Sequence, residues 1–251
     1  MTVGLLHPGE MGSAVGATLA AHGERVIWAS ARRSAATTER ARNAGLEDAG
    51  SIDELARRSD VIISVCPPHA ALDVAESTKG FAGIYVDANA VSPGTVKGIE
   101  ELFERCVDGG IIGPPPIERG TTRLYLSGRY ARDVADLFDG TTLEARVVSP
   151  NVGAASAVKM AFAGWTKGSS ALLLAIRALA QSEGIEETLL EEWRTSLPQL
   201  EEQSIAAGRS ARKKGWRWIG EMEEIAQTFA AAGLPEGFHG AAAEIYRRTS
   251  S

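Results

Sequence analysis

Residues 4–16 read GLLHPGEMGSAVG, the order of an apolar strand, a glycine turn and the beginning of a helix. In such a turn, small residues let backbone N–H groups and a helix N-terminus approach a pyrophosphate. The usual fingerprint is G-x-G-x-x-G, and here a histidine stands at the first glycine. The alternative is a strand-to-helix turn that binds no phosphate. We predict that the turn contacts a dinucleotide through His7, Pro8, Gly9, Glu10, Met11 and Gly12.

Composition narrows the class of protein. The chain has 251 residues, 44% of them hydrophobic, without an apolar run of about 18 residues, so we expect no membrane span. There is no basic segment followed by an apolar one at the start, which predicts a cytoplasmic protein without a signal peptide. The net charge of −6 argues against a nucleic-acid partner. Neither of the two cysteines, nor any histidine or acid cluster, has metal-ligand spacing, so we predict no metal.

The first 150 residues alternate short apolar runs with amphipathic stretches, which predicts a parallel sheet with crossover helices. The predicted strands are 2–6, 25–29, 61–65, 83–87, 110–112, 123–127 and 144–148. The predicted helices are 11–21, 35–44, 52–57, 70–77, 94–105 and 132–138. The sequence therefore predicts an α/β fold with a Rossmann-type doubly wound sheet.

The sequence after residue 150 predicts helices only. Residues 152–181 predict one helix of about 45 Å, long enough to bridge two domains or two subunits. Further helices are predicted at 186–196, 199–207, 217–231 and 240–248, separated by proline and glycine. We predict a cofactor-binding domain at residues 1–151 and a smaller all-helical domain for substrate binding and dimerisation at 152–251.

Three segments together resemble the β-hydroxyacid dehydrogenase superfamily, which includes 6-phosphogluconate dehydrogenase and 3-hydroxyisobutyrate dehydrogenase. They are HPGEMG at 7–12, VDANAVSP at 86–93 and GAASAVKM at 153–160. The C-terminal segments RWIGEMEEIAQTF and GLPEGFH resemble the short C-terminal domain of a poorly characterised 6-phosphogluconate dehydrogenase-like subgroup. The resemblance implies that Lys159 is the catalytic lysine. It also implies that the cofactor lies near Cys66, Pro67, Pro68 and Asn89, with Ser92 beside the substrate.

The chain departs from the superfamily pattern around that lysine. Ala163 replaces an asparagine that helps to hold the substrate, and Thr166 replaces a glutamate of 6-phosphogluconate dehydrogenase. Lys167 follows on the same helix face, where it meets either an anionic substrate group or solvent. Ile112 replaces a serine before Gly113, which predicts a more apolar subsite. Phosphogluconate is therefore not expected as the substrate.

Cofactor choice is predicted at the end of the second strand. An acid there favours NAD, because it accepts a hydrogen bond from the ribose 2′-hydroxyl. This chain has Ser30, Arg32 and Arg33 instead, and guanidinium groups suit a 2′-phosphate. The alternative is a pair of solvated arginines at a helix start. The sequence predicts NADP(H) as the cofactor.

The C-terminal region contains a group of large and titratable side chains. Core packing is the common reading of aromatic residues at helical spacing. The functional reading is that they cover a substrate pocket, either in the same subunit or in the second subunit of a homodimer. On that reading the substrate contacts include Trp218, Met222 and His239.

Together these features predict an NADPH-dependent oxidoreductase that interconverts a small secondary alcohol and a ketone, with Lys159 as general acid and base. The alternatives are an imine reductase acting on a C=N bond and an NADP(H)-binding sensor without turnover.

Overall fold

The computed structural model describes residues 1–249, so the final two serines of the predicted helical domain lie outside the described residues. The chain divides into two compact units, Met1–Lys159 and the residues from Met160 onward. The predicted domain boundary at residues 151 and 152 precedes the helix Ala154–Ser182, whereas the division between the units falls inside that helix.

The first unit is built on an eight-stranded sheet. Its strands are β1 (Thr2–Leu6), β2 (Arg25–Trp28), β3 (Glu47–Asp48), β4 (Val61–Ser64), β5 (Ile84–Asp87), β6 (Cys106–Ile112), β7 (Thr122–Ser127) and β8 (Leu143–Ser149). The order is β3-β2-β1-β4-β5-β6-β7-β8, and β6 and β7 pair antiparallel while the other neighbours pair parallel. The first six strands have the doubly wound dinucleotide-binding order, and the predicted Rossmann-type fold is confirmed.

Both faces of the sheet are buried at its central strands β4 and β5, as the uniformly apolar run at 61–65 predicted. On β4, Val61 and Ile63 join one apolar cluster while Ile62 joins the other. On the neighbouring strand, Val86 and Tyr85 divide in the same way. Successive side chains of a strand point to opposite faces, so each helical layer covers its own apolar surface.

The helices of the first unit are α1 (Glu10–Ala21), α2 (Ala35–Asn43), α3 (Ile52–Arg58), α4 (Ala71–Glu76), α5 (Pro93–Glu100) and α6 (Ala131–Asp136). A short 3-10 helix, Pro68–Ala70, precedes α4. A serine immediately precedes each of α2, α3 and α5 and accepts a hydrogen bond from the backbone N–H three residues later. These capping residues are Ser34, Ser51 and Ser92. Such caps satisfy donors that have no partner inside the helix.

The second unit is helical throughout its described part. It contains the larger part of α7 (Ala154–Ser182), followed by α8 (Glu186–Ser196), α9 (Gln199–Ala231) and α10 (Gly237–Thr249). Arg177 on α7 ties three helices together: its Nε donates to Glu186 Oε1 at 2.8 Å, and its Nη1 donates to Ser204 Oγ at 3.0 Å. Among residues 1–249, no helix combines the length and apolar character needed to cross a membrane.

The predicted bounds differ most from the structure at α5, β6 and α9. The two helices expected at 199–207 and 217–231 form the single helix α9 of 33 residues. The helix expected at 94–105 ends at Glu100, and β6 begins at Cys106 rather than at Gly110. The two-residue strand β3 was not predicted, because it is too short to show an alternating pattern.

Candidate functional site

The glycine turn follows β1 and leads into α1. His7 has a φ of 65°, in the left-handed region that favours glycine, and the Gly9 N–H donates to the His7 carbonyl at 2.7 Å. A Cβ at Gly12 would lie 2.7 Å from that carbonyl oxygen, so only glycine fits there without displacement. No side chain caps the N-terminus of α1, whose N-cap is Gly9. The turn therefore has the open backbone cradle that an anion requires.

The side chain of His7 is half-buried in this turn. Its Nδ1 is buried and has no hydrogen-bond partner among the described residues. Burial, and secondly the positive charge of Arg33, lower the pKa of the imidazole from 6.5 to about 4. The ring is therefore neutral at pH 7, so it adds no positive charge beside a bound phosphate.

The predicted 2′-phosphate residues lie in the loop after β2. Arg32 has a φ of 60°, and the Arg33 N–H donates to the Ser30 carbonyl at 3.0 Å. Burial lowers the pKa of the Arg33 guanidinium, which still remains a cation at any physiological pH. Arg33 acts electrostatically on both His7 and Cys66, so its charge lies near the ends of β1 and β4.

Sequence reasoning missed Arg40 on α2. Its Nε donates to the Pro8 carbonyl of the glycine turn at 3.4 Å, and its Nη2 donates to Thr37 Oγ1 at 3.3 Å. Arg40 lies on α2, the helix that follows the loop of Arg32 and Arg33, and a third arginine so soon after that pair was the available signal. The exposed guanidinium of Arg40 therefore also lies beside the turn.

Asn89 connects the ends of β4 and β5. Its Nδ2 donates to Asp87 Oδ2 at 2.7 Å and to Ser64 Oγ at 3.2 Å, and its Oδ1 accepts from the Cys66 N–H at 2.5 Å. The side chain is buried, and these contacts orient the backbone of the neighbouring loop. A direct contact between Asn89 and a cofactor stays a prediction.

The other residues predicted near the cofactor and substrate also have structural roles. Burial, and secondly the charge of Asp87, raise the pKa of the Cys66 thiol to about 12, so this cysteine is not a nucleophile at neutral pH. Pro67 caps the 3-10 helix that Pro68 begins. Ser92 Oγ accepts from the Thr95 N–H at 3.1 Å as the cap of α5. The substrate contact predicted for Ser92 is untested.

The predicted substrate residues at the end of β6 leave little space for a polar ligand. Ile112 is buried, and Gly113 has a φ of 129° and is tightly enclosed by the backbone at Thr121 and Thr122. The apolar character expected from Ile112 agrees with this burial.

Lys159 lies on α7, in the part of that helix that belongs to the first unit. Its Nζ donates to the Ile111 carbonyl near the end of β6 at 2.9 Å. β1, β4, β5 and β6 are parallel neighbours, so their carboxyl ends meet at one edge of the sheet. Three strand spacings separate β1 from β6, about 14 Å in all. The Lys159 amine and the glycine turn therefore share the edge at which such folds bind ligands.

Asp108 on β6 is the second residue that sequence reasoning missed as a functional candidate. The carboxylate is fully buried, and it accepts hydrogen bonds from β7 and from the N-terminus of α7. The signal was present in the sequence as a lone acid in an apolar strand, Cys106–Ile112. A buried carboxylate needs such partners, because its burial would otherwise cost several kcal/mol.

The predicted substrate residues of the second unit form a polar cluster between helices. Lys167 on α7 forms an ion pair with Glu221 on α9, and its Nζ lies 6.0 Å from the centre of the Trp218 ring. Tyr246 on α10 packs edge-on against Trp218 with ring centres 5.2 Å apart, and its hydroxyl donates to the Lys167 carbonyl at 2.6 Å. These contacts bind three helices together.

The other predicted substrate residues of this unit are mostly buried. Ala163 and Met222 have 1% and 0% of their surface exposed, so neither offers a surface to a ligand without helix movement. His239 is buried against Gly164 and Gly168, and burial lowers its pKa. Thr166 Oγ1 donates to the Phe162 carbonyl at 3.2 Å. Substrate contact by these residues stays a prediction.

Within residues 1–249, no group of three or more histidine, cysteine, aspartate or glutamate side chains has an arrangement that could hold a metal ion.

Two family models match separate parts of the chain. A model described as NADP oxidoreductase, coenzyme F420-dependent, matches residues 2–90. A model described as a domain of unknown function, DUF1932, matches residues 180–249.

Two solved structures resemble nearly the whole chain, and a further protein resembles part of it. The conserved protein MTH1747 of unknown function, reported to be structurally similar to 3-hydroxyacid dehydrogenases, is 30% identical with a TM-score of 0.74. That match covers 99% of this chain and 96% of the other. An uncharacterized 28.5 kDa protein of Methanothermus fervidus is 37% identical over 165 residues, and the match spans 63% of each chain. A 3-hydroxyisobutyrate dehydrogenase of Mycobacterium tuberculosis, solved with L-serine, shares the fold at 17% identity and a TM-score of 0.68, covering 98% of this chain and 92% of that one.

Proposed function

The chain belongs to the β-hydroxyacid dehydrogenase superfamily of nicotinamide-dependent oxidoreductases, and from that membership we propose that it interconverts a small secondary alcohol and a ketone with NADP(H). The observation that carries the proposal is the Lys159 amine, held at the carboxyl edge of the sheet that also carries the glycine turn.

The residues of the first unit fit a dinucleotide. The uncapped N-terminus of α1 and the close backbone approach at Gly12 form a cradle for the pyrophosphate. Ser30, Arg32 and Arg33 supply a hydroxyl and two guanidinium groups for the 2′-phosphate of NADP, and no acid competes for a ribose hydroxyl there. When bound, NADPH supplies the hydride that reduces the substrate carbon.

In the proposed mechanism Lys159 handles the proton. During ketone reduction, negative charge develops on the substrate oxygen, and the Lys159 ammonium stabilises that charge and donates a proton to it. During alcohol oxidation the neutral amine accepts the same proton. The Ile111 carbonyl restricts the amine, so that fewer orientations of the side chain must be lost when substrate binds.

A homodimer is the proposed assembly. On α7, Phe162, Trp165, Leu172 and Leu179 recur at intervals of three, seven and seven residues, and between 47% and 76% of each is exposed. Such spacing places the four side chains along one helix face, and an exposed apolar face of this kind marks an interaction surface. We expect Trp165→Gln to shift the dimer towards monomer in light scattering, whereas Lys79→Gln, on the surface of the first unit, leaves it unchanged.

Steady-state oxidation of NADPH with a panel of ketones and imines tests the reaction class. We expect a ketone to turn over, and we expect Lys159→Met to lower kcat at least about 100-fold with NADPH affinity kept. Lys79→Met is the matched control, because that lysine is exposed and lies in the turn before β5, whereas the proposed site is at the carboxyl ends of the strands. Turnover of imines alone favours an imine reductase, and NADPH binding without any turnover favours the sensor. Full activity in Lys159→Met contradicts the proposed role of that lysine.

A further inference from the structure

The helix α7 begins without a cap of its own. Gly153 precedes it with a φ of 101° and has no side chain to accept from the first N–H groups. Three of those groups donate instead to side chains of the sheet: Gly153 N to Asp108 Oδ2 at 2.9 Å, Ser156 N to the same oxygen at 3.0 Å, and Ala155 N to Ser127 Oγ at 3.0 Å. The helix N-terminus is thus capped by two neighbouring strands.

Asp108 is the centre of this arrangement. Its Oδ2 also accepts from Ser127 Oγ at 2.8 Å, and its Oδ1 accepts from Ser156 Oγ at 2.6 Å. Hydrogen bonds to a carboxylate are stronger than neutral ones, and negative charge is favoured at a helix N-terminus. The bonds come from different directions, so they fix both the position of α7 along its axis and its rotation about that axis.

The rotation of α7 determines where Lys159 points. Lys159 lies three residues after Ser156, which is almost one helical turn. A Cβ at Gly110 would lie 2.9 Å from the Ala155 carbonyl and 3.0 Å from Lys159 Cβ, so the helix packs directly on the β6 backbone. On the same strand, the Ile111 carbonyl accepts a hydrogen bond from the Lys159 amine. The backbone end and the amine of Lys159 are therefore both held against β6.

We propose that Asp108 is the positioning residue for Lys159, and that Ser127 and Ser156 share this role. Asp108 touches neither cofactor nor substrate in this scheme. It acts through α7, by keeping the lysine amine at the carboxyl edge of the sheet. The catalytic consequence rests on the proposed function, whereas the effect on the amine itself does not.

The first test measures the amine without any substrate. Limited acetylation with isotope-coded acetic anhydride, followed by mass spectrometry, gives the labelling rate of Lys159 relative to exposed Lys79 in the same molecule. We expect Asp108→Asn to raise that ratio about 5-fold, because the bond to Ile111 loosens, and Ser127→Ala to raise it by a smaller factor. Leu55→Ala is the control, because Leu55 is fully buried on α3 and its loss destabilises the same unit.

The second test separates positioning from general destabilisation. We expect Asp108→Asn to lower kcat about 100-fold, since small misplacements of a reacting group have effects of that size, with the KM for NADPH within about 3-fold of the wild-type value. If Asp108→Asn does not fold, Ser127→Ala decides the question, because it removes one hydrogen-bonding hydroxyl and no buried charge. Unchanged Lys159 labelling in the folded variants overturns the proposal, and so does an equal rise in Leu55→Ala. If the labelling of Lys159 rises in Asp108→Asn but the wild-type protein turns over no substrate, the result supports the positioning role of Asp108 and contradicts only the proposed function.

Discussion

Replacement of His7 tests the unusual backbone of the glycine turn. A residue other than glycine in the left-handed region costs about 1–2 kcal/mol. His7→Gly and His7→Ala both remove the imidazole and differ only in a Cβ. At an ordinary position alanine is the more stable of the two by about 0.5–1 kcal/mol, because glycine loses more backbone entropy on folding. At a φ of 65° we expect the opposite order, with His7→Gly more stable than His7→Ala by about 1 kcal/mol.

The same residue predicts a pH dependence. The folded pKa of His7, about 4, lies below its unfolded value of 6.5, so the unfolded chain binds the proton more readily. Stability from the neutral ring is therefore complete above pH 6.5 and is lost as the pH falls from 6.5 towards 4. Full conversion of that shift would exceed 3 kcal/mol, and because the ring is partly solvated we expect a loss of about 1–2 kcal/mol.

Urea unfolding of the wild type and the two variants at pH 7.5, 5.5 and 4.5 measures both effects. As the pH falls, the free energy of unfolding should decrease more steeply in the wild type than in either variant. The difference in free energy of unfolding between the two variants should not change with pH. Alanine more stable than glycine at pH 7.5 would refute the backbone argument. Parallel pH profiles in all three proteins would refute the argument from the buried imidazole.

Three further predictions concern other parts of the chain. Arg33→Ala should weaken NADPH binding about 10-fold in calorimetry and leave NADH binding unchanged, because the proposed function assigns this guanidinium to the 2′-phosphate; equal weakening of both cofactors would contradict this. Gly110→Ala should lower the free energy of unfolding by about 2 kcal/mol, because the new methyl group meets Ala155 and Lys159; a stability equal to wild type would show that α7 shifts freely. Glu221→Ala should cost about 3 kcal/mol in urea unfolding, because Lys167 then loses its buried carboxylate, and the double variant with Lys167→Met should recover part of that loss; no recovery would argue against the ion pair.

The sequence predicted those parts of the fold whose signals are local. Apolar runs located β1, β4 and β5, and together with the glycine turn they predicted the doubly wound sheet. The break expected near Gly208 and Gly215 did not occur. Each glycine weakens an isolated helix by about 1 kcal/mol. Packing against α8 and α10 stabilises α9, and local sequence patterns do not predict such packing between helices.

The candidate site shows the same division between local and long-range information. The turn at His7 and the loop at Arg33 could be read from spacing, because the groups that define them are adjacent in sequence. Asp108 could not, because its partners at Ser127 and Gly153 lie on other elements and only the folded sheet brings them together. The left-handed φ of His7 was not predicted, although the fingerprint has glycine at this position and glycine favours that region.

A crystal structure with NADP⁺ bound measures the relation on which the whole account depends. We expect the pyrophosphate on the backbone between Gly9 and Gly12, and the Lys159 amine within about 6 Å of the nicotinamide C4, the reach of a direct contact or one bridging water molecule. A nicotinamide ring more than about 10 Å from that amine, beyond such reach, would contradict the assignment of Lys159 as the group that transfers the proton.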